Sequence, residues 1–277
     1  MVKGYEIPRQ SHRLSTHDGV SSLLPRIFPH YPSDFHGDIQ KLMAVSGGVD
    51  VVFHPNNLYD YGTNPNVNNG GDNRLERKGS KEKGEGVVSC VEDSGFGHET
   101  WVRVERLEKG MCGKSRPVFF RGVATIVTKL FNMVEPDVAL FGKKDYQQWR
   151  IIQRMVRDLD FSIKVIGSEV VRESDGLAMS SRNVHLSPEH REQALSINRS
   201  LSRARIAAEK GQVNCRELRD SVIEAIEEAG GKLDYAEIVG QESLEAVEEI
   251  RSPVVFCVAA WFGKVRLIDN MEINIRN

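Results

Sequence analysis

The stretch Asp137-Val138-Ala139-Leu140-Phe141-Gly142-Lys143-Lys144-Asp145-Tyr146-Gln147-Gln148 narrows the folds open to this chain more than any other. Apolar residues run without alternation from Val138 to Phe141 and stop at a glycine, which predicts a short buried strand. Beyond the turn, Ile151, Ile152, Met155, Val156 and Leu159 share one face while Arg150, Gln153, Arg154 and Arg157 point elsewhere, the pattern of an amphipathic helix. A strand, a glycine and a helix start, with lysines and an aspartate between them, are the parts of a nucleotide site at the carboxyl end of a parallel sheet. Backbone N–H groups at the helix N-terminus and a lysine face the same anion there.

The flanking segments repeat the alternation. A helix from about Arg121 to Val134 carries Val123, Ile126, Val127, Leu130, Phe131 and Val134 on one stripe, and Phe161 to Gly167 supplies a further strand. Strands alternating with helices call for an α/β parallel sheet with right-handed crossovers. Upstream, a short helix from Asp34 to Met43 leads to a buried strand within Gly47 to Pro55, capped by His54, and Thr100 to Val104 alternates as a strand does. Between them lies a turn-rich and charged segment, an inserted surface loop at about 61–97 that cannot bury enough apolar area to order itself. Its lysines are offset by Glu76, Glu82 and Glu85, so it does not mark a nucleic-acid site. Residues 1–30 form an unplaced lead; their basic and serine content suggests a transit peptide, but Glu6 and Asp18 count against one.

A second chemical cluster, Val171-Arg172-Glu173-Ser174-Asp175-Gly176-Leu177-Ala178-Met179-Ser180-Ser181-Arg182-Asn183, follows the last strand of the nucleotide-binding half, which spans 31–174. Asp175-Gly176 signals a turn, and Ser180, Ser181 and Arg182 stand in an otherwise unpatterned loop. Two hydroxyls and a guanidinium in series suit a phosphate chain, because Arg gives paired hydrogen bonds to phosphoryl oxygens. By itself, Ser-Ser-Arg is common in plain loops; the lysine turn upstream gives it meaning. Residues 175–277 then read as a smaller α+β domain expected to close over the site. It holds a helix from Ser187-Pro188 to Gly211, a second from Cys215 to Ala229, a strand from Leu233 to Val239, a short helix from Ser243 to Glu249, and a hairpin of Val254 to Phe262 with Val265 to Ile268.

Charge and cysteine usage restrict the partners. The formal net charge of −2 leaves no broad footprint for nucleic acid or an anionic membrane, so a discrete small-molecule pocket is expected. No apolar run approaches the roughly 20 residues of a membrane span. Cys90, Cys112, Cys215 and Cys257 are far apart and form no CxxC pair, which fits reduced thiols in the cytoplasm.

Four ordered blocks together resemble the pantothenate synthetase family: Phe141 to Gln148; Asp175 to Asn183; Ser115-Arg116-Pro117 with Phe120-Arg121-Gly122-Val123; and Ala259-Ala260-Trp261-Phe262-Gly263 with Arg266-Leu267-Ile268-Asp269-Asn270. The resemblance runs from about Tyr31 to the end and is of the plant type, the loop at 61–97 looking like the insertion of plant members. It implies a Rossmann-like nucleotidyltransferase sheet, incomplete at its N-terminus, in a homodimeric ligase. Such an enzyme joins pantoate to ATP as a pantoyl adenylate with Mg2+, then lets β-alanine displace AMP. Carried over by position, Gly142, Lys143, Lys144 and Asp145 hold ribose and phosphates and Gln148 binds pantoate. Val171 and Met179 lie along adenine, and Ser180, Ser181 and Arg182 embrace the triphosphate, with Lys144 and Arg182 as the catalytic pair.

The sequence departs from the family in two places. The strand, His-x-Gly-His segment and Asn-Pro-x-Gln-Phe segment with which the family begins are not in this sequence, and Val118-Phe119 stands where many bacterial relatives have Gly-His. The first departure leaves a second reading, a catalytically impaired homologue that serves as a non-catalytic dimerisation partner. The residues alone also admit another adenylyl transferase.

Overall fold

A computed structural model describes residues 35–44, 49–53 and 100–275. The lead at 1–30, His54, Cys90 and the insertion at 61–97 lie outside the described residues. The elements run α1 (Phe35–Ala44), α2 (Met111–Ser115), α3 (Phe119–Val134), β1 (Val138–Gly142), a 3-10 turn at Lys143–Asp145, and α4 (Tyr146–Asp158). They continue with β2 (Lys164–Ser168), a second 3-10 turn at Ser181–His185, α5 (Pro188–Glu209), α6 (Cys215–Glu228), β3 (Lys232–Gly240), β4 (Val254–Phe262) and β5 (Val265–Ile273). Among the described residues, no helix is long and apolar enough to cross a membrane.

Two sheets organise the chain. β1 and β2 pair in parallel, Val138 opposite Lys164 through Gly142 opposite Ser168, with α4 as the crossover between them. β3, β4 and β5 form an antiparallel sheet in that order, and the β4–β5 turn passes through Gly263 at φ +59, a left-handed angle that glycine adopts at no steric cost. β4 is the partition between two cores. Val254, Phe256, Val258, Ala260 and Phe262 face α5 and α6, while Val255 and Cys257 face α3 and α4, so its side chains alternate between two apolar layers and the strand reads as one continuous apolar run.

Helix boundaries follow local chemistry. Ser187 Oγ accepts the backbone N–H of His190 ahead of Pro188, and Asn214 Oδ1 accepts those of Arg216 and Glu217, which starts α5 and α6 where the caps stand.

Several expectations are corrected. β1 is not buried throughout: Ala139 and Phe141 are buried against the helices, whereas Val138 is exposed, because among the described residues the strand is covered on one face only. Leu159 is half-exposed rather than on the buried stripe, since α4 has ended at Asp158 and Asp160 turns the chain at φ +53. Thr100 to Val104 forms no strand; the Val102 N–H donates to Thr125 Oγ1 on α3 instead of to a ladder. Val51 to Phe53 is likewise not a strand and is exposed. The short helix at Ser243 to Glu249 is absent. Gly240 and Ile238 bond that segment through their backbones to Glu245 and Val247, and bridges tie Ala246 to Val239 and Glu249 to Asn214, so β-type pairing takes the groups a helix would use.

Candidate active site

The lysine turn forms at the carboxyl end of β1, where the strand gives way to α4 through Lys143–Asp145. Its two lysines part company. The Lys143 ammonium is held by Glu169 at 2.6 Å and Glu272 at 2.9 Å; burial lowers its pKa, but the bonds from these two carboxylates outweigh that and raise it. Tyr146 joins the same group, donating from its hydroxyl to Glu272 at 3.1 Å, and burial followed by that carboxylate raises its pKa. Lys143 is therefore a fastener between β5 and the turn. Lys144 instead lines an open cleft together with Asp145 and Gln148.

The opposite wall carries Arg182. The segment expected to be unpatterned is ordered by a hairpin: Arg172 bridges Ala178, Asp175 Oδ1 accepts the Leu177 N–H at 3.1 Å, and Gly176 takes φ +92 at the tip. Met179 N–H donates to the Val171 carbonyl at 2.9 Å, which sets these two exposed apolar residues side by side. Ser180 Oγ accepts the Arg182 N–H at 3.3 Å and caps the 3-10 turn that aims Arg182 into the cleft.

The cleft is more basic than sequence reasoning foresaw. Arg116, at the end of α2, and Arg266, on β5, line it with Arg182 and Lys144. Arg116 stacks on the Phe119 ring with its guanidinium carbon 3.5 Å from the centroid. Burial first, then the nearby guanidiniums of Arg182 and Arg266, lower its pKa to about 10, the sign of positive charge compressed into a partly desolvated space. Asp234 on β3 holds Arg266 at 2.6 Å and also accepts from Ser115 Oγ at 3.0 Å, which locks two of the walls together. A concave surface with this many cations is built for a polyanion.

The expected site residues thus fall into two groups. Lys144, Asp145, Gln148 and Arg182 line one cleft. Gly142, Lys143, Val171, Met179, Ser180 and Ser181 are not among its lining residues; they belong to the two supporting segments just described. Arg116 and Arg266 were quoted in the family blocks without a role. A signal for Arg266 was there to read: Arg266, Asp269, Asn270 and Glu272 interrupt the apolar residues of one strand, and charges on a partly buried strand require partners or a ligand.

A strand–turn–helix presenting a lysine, faced by a loop presenting an arginine, places a cationic cleft at the end of a parallel α/β sheet. Comparison with known proteins gives the family. The family model described as pantoate-beta-alanine ligase matches residues 25–272. The pantoate–beta-alanine ligase of Lotus japonicus is 72% identical over 246 residues, covering 88% of this chain and 77% of that protein. That of Arabidopsis thaliana is 66% identical over 246 residues, with 88% and 76% covered. The crystal structure of pantothenate synthetase from Thermus thermophilus superposes with a TM-score of 0.70 at 36% identity, covering 88% of this chain and 76% of that one. The chain belongs to the pantoate-beta-alanine ligase family, whose reaction is the ligation of pantoate with β-alanine.

Proposed function

We propose that this chain makes pantothenate in two steps in one cleft: the carboxylate of (R)-pantoate attacks the α-phosphorus of ATP and releases pyrophosphate, and the amine of β-alanine then attacks the pantoyl carbonyl and releases AMP. The observation that carries the proposal is the convergence of Lys144 and Arg182, with Arg116 and Arg266, on one cleft. Attack of a carboxylate on a phosphate needs little proton transfer but much neutralisation, since negative charge grows on the α-phosphoryl oxygens and the leaving pyrophosphate. Preorganised cations in a partly dry site supply it. In this reading Lys144 and Arg182 act on the reacting phosphates, Arg116 and Arg266 bind the departing pyrophosphate, and Asp145 and Gln148 bind ribose and pantoate. Val171 and Met179 offer their exposed side chains to adenine, and Gly142, Lys143, Ser180 and Ser181 give these groups their backbone and hydroxyl support.

Mg2+ belongs to the same proposal. Among the described residues no group of three or more His, Cys, Asp or Glu side chains is placed to hold a metal unaided. Mg2+ is carried mainly by substrate phosphates and waters with one or two carboxylates, and in this reading Asp145, which lines the cleft, would be the carboxylate offered to it. Bound there, the ion adds to the neutralisation of phosphate charge. Cytoplasmic operation as a homodimer, without membrane or nucleic acid, completes the reading; the unbridged Cys112, Cys215 and Cys257 support the compartment.

The test is purified chain with ATP, Mg2+, pantoate and β-alanine. Equal yields of AMP and pyrophosphate, with pyrophosphate formed from pantoate and ATP before β-alanine is added, are expected; absence of both contradicts the proposal. A second reading, a non-catalytic dimerisation partner, is favoured by the edge of β1 that no described strand covers. It requires no AMP from the chain alone and a stable mixed dimer with an active relative.

A further inference from the structure

We propose that Asp269 and Asn270, consecutive residues on β5, are positioning residues that set the distance between the lysine turn and the arginine loop, a role that rests on the nucleotide reading above. Both are almost fully buried, an unusual place for two polar side chains in sequence. Asn270 uses both N–H groups of its side-chain amide on the turn itself, donating from Nδ2 to the carbonyl oxygens of Lys143 at 2.8 Å and Lys144 at 2.9 Å. Asp269 reaches the other wall. Its carboxylate takes a two-pronged bond from Arg172 at 2.7 and 3.0 Å, and Arg172 also donates to the Gly176 carbonyl at 3.2 Å, so the hairpin leading to Ser180–Arg182 is fixed at its base and its tip.

Strand geometry explains how neighbouring residues serve opposite walls. Successive side chains on a strand point to opposite faces. Leu267 and Ile273 pack with α5 and α6, on the face Asp269 shares, whereas Ile268 packs with the core around α4, on the face of Asn270 and Glu272. Glu272 adds the side-chain bond to Lys143, so β5 grips the turn by its carbonyls and its ammonium at once. Asp269 Oδ1 also accepts the Asn270 N–H at 2.8 Å, which joins the two anchors. Strand β5 lies beside the buried β4, opposite it from Val254–Ile273 to Phe262–Val265. The ruler between the two walls is therefore a rigid sheet rather than a loop. Neither residue needs to touch the reacting atoms; each acts through another group, and a displacement of about 1 Å is enough to cost on the order of 10²-fold.

The experiment is equilibrium binding of ATP with Mg2+ to the full chain and to Asn270→Leu, Lys144→Ala and the double variant, with folding followed by thermal denaturation. Leu keeps the branched shape and heavy-atom count of Asn, though it is bulkier, and removes both donors. The proposal expects Asn270→Leu to weaken ATP binding about 10–100-fold and to have almost no further effect once Lys144 is already Ala, since the amide acts through that turn. The same loss in both backgrounds, or unchanged binding by folded Asn270→Leu, overturns it. Should Asn270→Leu fail to fold, Asn270→Ser, smaller and still able to donate one bond, is read in the same way with an intermediate loss expected. A wild-type chain that binds no ATP overturns the nucleotide reading itself, which is distinguishable because the failure appears before any substitution.

Discussion

Arg182 donates from Nη1 to the carbonyl oxygen of Arg266 at 3.3 Å, so the loop ahead of α5 is fastened to the strand that carries a second guanidinium into the same cleft. Like charges are held side by side by backbone contacts and by Asp234, not by each other. An anion entering the cleft relieves a repulsion that folding has already imposed.

That arrangement makes the cations unequal. Lys144→Ala is expected to slow pyrophosphate release in a single turnover by about 10²–10³-fold, the scale for loss of one preorganised charge from a transition state. Arg266→Ala should mainly weaken pyrophosphate binding. Rapid-quench assays with ATP and pantoate check the first and product inhibition by pyrophosphate the second; an unchanged single-turnover rate for Lys144→Ala refutes its role.

Val118 sits at φ +67 at the start of α3, a left-handed angle at which a β-branched side chain is strained. Val118→Gly is expected to raise stability by about 1 kcal/mol, the low end of the usual cost of such strain after allowing for the freedom glycine adds to the unfolded chain. A urea midpoint checks it; a lower midpoint shows that Val118 is held by contacts that outweigh its backbone.

Breaking the Arg172–Asp269 pair leaves a carboxylate that is 4% exposed without its cation. Arg172→Ala should therefore destabilise the fold by about 3–5 kcal/mol, whereas Asp269→Leu, which removes the charge, should cost much less once Arg172 is also made apolar. Denaturant titration of the single and double variants measures the difference.

Burial raises the thiol pKa of Cys257, with the neighbouring Cys112, Asp269, Glu237 and Glu272 adding to it, and burial also raises Cys215. A raised thiol pKa means less thiolate at a given pH, and only the thiolate reacts with alkylating reagents. Native protein at pH 8 is expected to leave Cys215 and Cys257 unalkylated until denaturant is added, as peptide mapping shows directly. Rapid labelling of either in the folded chain contradicts the packing described for it.

Sequence made the chemistry of each segment legible but not the joints between them. The strand at Val138, the helix stripe through Ile151 and Ile152, the Ser187-Pro188 helix start and the β4–β5 hairpin each follow from local periodicity and turn residues, and the fold has them. Lys144 and Arg182 stood out because each stands in a short polar motif beside a regular element, and the resemblance singled out Lys144 as catalytic beside Lys143. What stayed hidden depends on contacts distant in sequence. Lys143 looks equivalent to Lys144 until Glu169 and Glu272 are brought beside it, and Arg116 has no marked periodicity until α2 is folded against β3. Thr100 to Val104 failed as a strand for the same reason: its alternation is genuine, but the group that meets Val102 is a threonine on a helix.

In the proposed function the lysine turn and the arginine loop grip one triphosphate. A crystal structure of the chain with a non-hydrolysable ATP analogue measures this most directly. Phosphate oxygens within about 2.7–3.1 Å of both Lys144 Nζ and the Arg182 guanidinium are the predicted result. A bound analogue whose phosphates meet only one of these groups would contradict it.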